Sequence, residues 1–495
     1  MSLAPHSADS PRDLAISDVE FIHPLRAPEL TAGQQALPSR VGGDGRGRGQ
    51  HYWGLRARID WVRNFIDQAR TDSLIRNSVF IMATTVASAA FGYAFWLLAA
   101  RLYSPAVVGL TAAVTSAANI MLLLSSLGVG GTLIQSLPRQ PRKTEWSATF
   151  WAGMATVTLF AVGLCGIGVA VLPLISPELM VLRDVGWAAV FAVGAVAMTV
   201  GGTLDCVFVA ERRASYAFSR NSAAGAVKVL VLGLLALALG PNALRLLGAW
   251  GVAAVFGLGL GVALLVRHIG VARPPALSVL VRTARGFRSR VTGNQLIGMG
   301  AALLPYLLPV LVTSRLSARD NAYFYTTWML AGLFLVISPA FSESLFAEGM
   351  HRPDEVGALA RSAFKISGAI LVPGLVTVLA LGGTLLSAFG HAYADHAVGL
   401  LRLAVLASIP DAVTNVYVAV LRVEARLTAA ASLNVGMGIG ILVIAWFLLP
   451  VMGISAVGCA FLAMQLCGCV YVALDWRRQR SRARVRNGGH HKEVR

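Results

Sequence analysis

Long apolar runs separated by short polar intervals dominate this chain from residue 77 onwards. A membrane-crossing helix needs about 20 apolar residues. Twelve segments meet that length: 77–100, 107–135, 146–172, 184–209, 216–239, 245–266, 291–313, 321–347, 361–388, 396–421, 427–449 and 453–475. None shows the alternation of a membrane β-barrel. The expected fold class is all-α: a polytopic membrane protein with 12 transmembrane helices in two pseudo-symmetric six-helix bundles.

The polar intervals set the expected orientation. Of the 42 Lys and Arg residues, 35 fall in segments on one side of the membrane and six on the other, with Lys228 inside a span. Basic loops stay in the cytoplasm, so both termini are expected there. Residues 1–50 are polar and rich in Pro and Gly and read as a disordered tail. No apolar h-region precedes the first span, so no signal peptide is expected. Over 51–76, Leu55, Ile59, Val62 and Ile66 recur at helical spacing among Trp53, Trp61, Phe65 and four Arg. This predicts a basic amphipathic helix on anionic membrane lipids, with nucleic acid not expected as a partner. The domains follow: a six-helix lobe over 77–266, a basic inter-lobe linker over 267–290, a second six-helix lobe over 291–476, and a basic tail over 477–495.

The two lobes read as a repeat. Arg-Leu-Tyr-Ser at 101–104 matches Arg-Leu-Ser-Ala at 315–318, and Val-Phe-Val-Ala at 207–210 matches Val-Tyr-Val-Ala at 416–419. Six spans per copy give both copies the same orientation, with a substrate path between them.

Composition removes other classes. With 56% apolar and only 13% charged residues, the chain is unlike water-soluble globular proteins, in which about 25% are charged. Net charge is +18, and only four of the cations are Lys, an Arg bias that fits a GC-rich bacterial genome. The five cysteines, Cys165, Cys206, Cys459, Cys467 and Cys469, lie in apolar runs and read as buried hydrophobes. No phosphate-binding Gly-rich loop ending in Lys is present. The glycines at 128–131 and 436–440 sit in apolar runs and are expected to serve close helix packing. Loops on the outer side are too short for a catalytic domain, and the cluster His391, Asp395 and His396 reads as a solvated loop. No enzyme activity, metal or cofactor is expected. The chemistry points to a transporter.

Ionisable groups inside spans cost at least about 2.5–3.5 kcal/mol, so they mark function by default. Asp205, Glu343 and Asp411 are the candidate ion-coupling carboxylates. Two have structural alternatives: Asp205 with Arg220 at similar depth on the next span, and Glu343 in water at the inner face. Asp411 follows Pro410, where a broken helix would free carbonyls for an ion. Lys228, near mid-span, is the candidate cation for an anionic substrate, with Arg220 two turns away and Lys365 nearer the inner face. Pro305 and Pro309, one turn apart on the seventh span, are the expected hinge. Prolines fall in the interiors of spans seven to ten only, so the second lobe is expected to be the more bent.

Several strings resemble a known family: Asn77-Ser78, Ala-Ala-Arg-Leu-Tyr-Ser at 99–104 with Gly109, Leu-Gly-Val-Gly-Gly-Thr-Leu-Ile at 127–134, Asn-Ala-Tyr-Phe-Tyr at 321–325, Ser-Leu-Phe-Ala-Glu at 344–348 and Leu-Arg-Leu-Ala at 401–404. Together they resemble polysaccharide-biosynthesis flippases of the multidrug/oligosaccharidyl-lipid/polysaccharide exporter superfamily, over about 77–476. The resemblance implies a flippase or exporter of a lipid-linked oligosaccharide or cell-envelope glycan precursor, working by alternating access in the bacterial inner membrane. It implies Lys228, Arg220 and Lys365 as substrate-binding cations, a proton or sodium ion as coupling partner, and glycan-assembly proteins as neighbours. The alternatives are a cation-coupled multidrug exporter of the same superfamily and a membrane-embedded glycan polymerase or ligase.

Overall fold

The computed structural model of the protein describes residues 73–126, 128–288 and 293–490. The expected tail over 1–50 and all but the last residues of the expected amphipathic helix over 51–76 lie outside the described residues. The described chain forms fifteen α-helices: α1 Ser73–Leu102, α2 Pro105–Ser126, α3 Val129–Ser136, α4 Lys143–Ile175, α5 Val185–Ala210, α6 Ala214–Leu239, α7 Ala243–His268, α8 Leu277–Arg288, α9 Gly293–Arg315, α10 Ala318–Leu335, α11 Ile337–His351, α12 Val356–Ser387, α13 His391–Val423, α14 Leu427–Met452 and α15 Ser455–His490. Twelve crossings result, because α2 with α3 and α10 with α11 each make one interrupted crossing. Eleven are long and apolar enough to cross a membrane along their described length. The other, α9, has 23 residues. The protein is an all-α, multi-pass membrane protein.

The repeat appears in packing and in register. In the first lobe α1 packs on α6, α5 on α7, α6 on α7, α4 on α5 and α2 on α5. The second lobe repeats every pair: α9 on α14, α13 on α15, α14 on α15, α12 on α13 and α10 on α13. Leu102 and Arg315, Pro105 and Ala318, Lys143 and Val356, Ala210 and Val423, Ala214 and Leu427, and Leu239 and Met452 end or begin equivalent helices and are all 213 residues apart. One turn is reproduced closely. After α5, Arg212 has φ 55° and the Arg213 N–H donates to the Phe208 carbonyl at 2.8 Å; after α13, Ala425 has φ 56° and the Arg426 N–H donates to Leu421 at 2.8 Å. A left-handed residue closing such a bond ends a helix. This register corrects the match of 207–210 with 416–419. Its true counterpart is 420–423, four residues on, and a slip of one helical turn leaves an apolar pattern looking unchanged.

The interruptions lie elsewhere than the prolines suggest. Gly128, at φ 75°, separates α2 from α3, and Val336 separates α10 from α11. So the 128–131 glycines do two jobs: Gly128 turns the chain, while a Cβ on Gly130 would lie 2.7 Å from Cys206 Sγ on α5. Pro410 does not break its helix, and α13 runs unbroken through it. A proline removes a single N–H, which a 33-residue helix absorbs. The first lobe is also not free of helix-internal proline, since α4 runs past 172 and contains Pro173.

The end of the molecule that holds the α5–α6 and α13–α14 turns is the one assigned to the cytoplasm by charge; it is called the basic end here. The lobes meet only towards the opposite end. There α2 packs on α9 and α10, the Asn321 amide donates to the Gly109 carbonyl at 2.8 Å, and Arg101 caps the end of α12 through Ala388 O at 2.6 Å. Tyr93 meets Phe389 at 5.5 Å and Trp96 meets Tyr325 at 4.8 Å between ring centres. The largest apolar core draws on both lobes in this region, from Phe95 and Val108 to Phe324 and Phe461. At the basic end the cores separate. Leu133, Phe150, Leu204 and Leu265 form one within the first lobe; Leu345, Ala363, Val416 and Ala419 form another within the second. The halves α3 and α11 of the interrupted crossings pack on their own lobes. The molecule is therefore open towards the basic end.

Candidate functional site

Each lobe holds a cavity between its crossing helices. The first, of about 230 Å³, lies among α1, α5, α6 and α7. The second, of about 520 Å³, lies among α9, α10, α13, α14 and α15. They are equivalent places in the repeat. Phe91, Met198, Asn221, Ala224, Gly225 and Lys228 line the first; Leu304, Asp411, Asn434, Met437, Gly438 and Ile441, each 213 positions later, line the second. At two of these six positions the chemistry diverges. Lys228 stands where the second cavity has Ile441, and Asp411 stands where the first has Met198. The fold has one architecture twice, cationic in one copy and acidic in the other.

In the first cavity, Arg220 and Lys228 lie two turns apart on α6 and both face the space. Arg220 is buried at 7% exposure and engaged. Its Nε donates to Asp205 Oδ1 at 2.8 Å and its Nη2 to Oδ2 at 2.5 Å. Asn221 ties the pair together, accepting from Arg220 Nη2 at 3.0 Å and donating to Asp205 Oδ2 at 2.8 Å. The guanidinium is seated against glycines, since a Cβ on Gly201 would lie 2.6 Å from its Nη1 and one on Gly261 2.8 Å from its Cδ. The structure thus forms the Asp205–Arg220 pair, the alternative that comparable depth on adjacent spans offered. Lys228 differs. Its ammonium lies 5.0 Å from the centre of the Phe95 ring, and among the described residues no carboxylate pairs with it. It is the cation left available to the cavity.

In the second cavity Asp411 is 7% exposed. It accepts from Ser338 Oγ at 2.5 Å and from Gln465 Nε2 at 2.8 Å. Thr414 Oγ1 holds the other end of Gln465 by donating to Oε1 at 2.7 Å, and Asn415 Nδ2 donates to Ser338 at 3.1 Å. Every group around the carboxylate is neutral, so its charge is solvated by oriented dipoles alone. Pro305 lines the same cavity, as do the rings of Tyr306, Tyr325 and Trp328.

The remaining candidates lie apart. Glu343 pairs with Arg422 across α11 and α13 at 2.6 Å, with its side chain 64% exposed. Lys365 is exposed on α12 and lines a separate groove at the basic end of the second lobe. The structure therefore does not bring Lys365 together with Lys228 and Arg220, and it does not join Glu343 to Asp411. Asn221, Ser338 and Gln465 escaped the sequence reading because neutral amides and hydroxyls carry no charge signal. The 213-residue register, which pairs Asn221 with Asn434, was the available clue.

No protein-family model and no curated protein sequence matches the chain. Solved structures do. An inward-facing multidrug resistance MATE family transporter of the MOP superfamily superposes with a TM-score of 0.61 at 15% identity, over 80% of this chain and 95% of that one. The lipid II flippase MurJ in an inward closed conformation gives 0.64 at 9% identity, over 81% and 87%. An outward-facing MATE family transporter gives 0.52 at 16% identity, over 83% and 96%. The two inward states fit better than the outward one, in keeping with lobes parted at the basic end. The chain has the two-lobed, twelve-crossing fold that these transporters share.

Proposed function

We propose that this protein is a flippase or exporter that moves a lipid-linked oligosaccharide or other cell-envelope glycan precursor across a bacterial inner membrane, with the basic end in the cytoplasm. One observation carries the reading: two equivalent cavities of opposite charge in a molecule open at one end. A phosphate leaving water needs a cation to offset its desolvation, and Lys228 is the unpaired cation facing a cavity. Arg220, neutralised by Asp205, lends hydrogen-bonding capacity and shape rather than net charge. Asp411 is the site for a coupling proton or sodium ion, and Glu343 stabilises the basic end through Arg422. The neighbours are described as a lipid II flippase and as multidrug transporters, which agrees with cargo of this kind and with alternating access. Glycan-assembly proteins are the expected partners.

The acidic, aromatic-lined second cavity favours a second reading, a cation-coupled exporter of organic cations. One experiment separates the two. In a deletion strain, with expression checked by blot, Lys228→Ala is expected to reduce surface glycan severely. Removing one partner of a buried charge pair costs about 3–5 kcal/mol, more than about 100-fold. Lys228→Arg should retain part of the activity and Lys228→Glu none. Wild-type glycan with Lys228→Ala refutes the phosphate role and leaves the second reading.

Pro305 and Pro309 are the proposed flexible points of α9. Replacing both with Ala restores two helical hydrogen bonds and is expected to slow transport in proteoliposomes several-fold while membrane insertion stays normal. Unchanged transport would assign the motion to the interruptions at Gly128 and Val336 instead.

A further inference from the structure

A groove of about 1120 Å³ runs along α12, α13 and α15 at the basic end of the second lobe, away from both cavities. Its walls are apolar, with Ala360, Phe364, Val416, Val420, Val472 and Ala473 among them. The first lobe has the same groove, and there the chain itself fills it. Ile269, Val271, Leu280 and Ala284 of the inter-lobe linker pack over Trp146, Phe150, Leu204, Val207 and Leu265. Two hydrogen bonds pin the linker: Trp151 Nε1 donates to Ala272 O at 3.0 Å, and the Ala272 N–H donates to Ser147 Oγ at 3.0 Å. Gly270, at φ 71°, turns the chain back over the groove, a conformation that disfavours any side chain.

The second lobe has lost each of these devices. At the positions 213 residues after Ser147 and Trp151 stand Ala360 and Phe364, which offer neither the hydroxyl nor the indole N–H. After α15's apolar stretch no glycine occurs before Gly488, and the helix runs straight on to His490. Among the described residues nothing covers the groove, and Phe364 and Trp476 stay 43% and 52% exposed.

Charge at the rim indicates the occupant. Arg361 and Lys365 are one turn apart on one face of α12, and both line the groove. Among the described residues neither pairs with a carboxylate; Arg361 Nε only reaches the Gly357 carbonyl of its own turn, at 3.2 Å. The acid in the groove, Glu424, is engaged by Arg426 at 3.5 Å, and Tyr417 and Gln479 are turned to Asp475. The 32 residues of α12 span about 48 Å at 1.5 Å each, well beyond the roughly 30 Å hydrocarbon layer. Its first turns therefore stand among headgroups, with the apolar groove reaching into acyl chains. We infer that the groove holds an acyl chain of an anionic phospholipid from the leaflet at the basic end, with the lipid phosphate on Arg361 and Lys365. The lipid does for the second lobe what residues 269–288 do for the first. This inference does not depend on the transport reading.

The test uses the full chain in nanodiscs with dibrominated phosphatidylglycerol or dibrominated phosphatidylcholine as quencher. Trp476 lines the groove, and its signal is the difference between the wild type and Trp476→Phe. Phosphatidylglycerol is expected to reach half-maximal quenching at about a tenfold lower mole fraction than phosphatidylcholine, from two cations at the surface. Arg361→Gln with Lys365→Gln should remove the preference. Ala360→Phe, which fills the groove and keeps both cations, should reduce quenching by either lipid. Equal quenching by the two headgroups in the wild type, or a preference that survives the double substitution, overturns the proposal.

Discussion

Gly109→Val is expected to hold the lobes apart at the end opposite the basic one. A Cβ at Gly109 would lie 1.6 Å from the Ala318 carbonyl oxygen and 2.7 Å from the Ala322 nitrogen. Both are backbone atoms of α10, fixed by helix geometry, and no rotamer change relieves the clash. The Asn321 amide also donates to the Gly109 carbonyl here, so the same separation breaks a buried hydrogen bond between lobes. Overpacking costs about 1–3 kcal/mol, which shifts a two-state equilibrium by about 5- to 150-fold. The closed outer seam would become the minor state and transport would fall accordingly. Spin labels at Arg183 and Asp395, exposed on the two lobes near that seam, report the distance in a cysteine-free background. A longer distance is expected with Gly109→Val. A wild-type distance distribution would show that the seam is not held by this contact.

Asp411→Asn is expected to abolish dependence on the ion gradient while leaving the fold and cargo binding in place. Asp411 accepts one bond from Ser338 and one from Gln465. Asparagine can still accept from Gln465 Nε2 through its oxygen and can donate its amide to the Ser338 hydroxyl oxygen, so no buried group is stranded. What disappears is the charge. Proteoliposomes with an imposed proton or sodium gradient should show uptake by the wild type that rises with the gradient, and uptake by the variant that does not. A melting temperature close to wild type would exclude collapse of the second lobe. Full gradient-driven uptake by Asp411→Asn would make Asp411 a structural residue.

Much of this protein is determined by local composition alone. Lipid admits only backbones whose hydrogen bonds are satisfied internally, so a run of about 20 apolar residues has one available conformation. The twelve crossings and the all-α class are therefore readable from 77–475 without tertiary information. The pairing of Asp205 with Arg220 was within reach for a related reason: two charges at one depth on consecutive spans have few other partners. The repeat was visible too, but not its register, because helix faces recur every turn and a four-residue slip preserves them. Only the boundaries of folded helices, shared turn for turn at 213 residues, decide that Lys228 answers to Ile441 and Asp411 to Met198. The same holds for Gly128, whose turn depends on φ rather than on apolarity, and for Pro410, whose helix neighbours outweigh one missing bond. Convergence is a property of helix rotation, which an almost uniformly apolar helix does not encode. Hence Lys365 faces a separate groove while Lys228 faces a cavity, and the neutral partners of Asp411 come from α10–α11, α13 and α15, crossings far apart in the chain. Packing between helices fixes those rotations, through contacts such as Gly109 on Ala318 and Arg220 against Gly201, and so the two opposite charges and the seam that separates them belong to the tertiary structure.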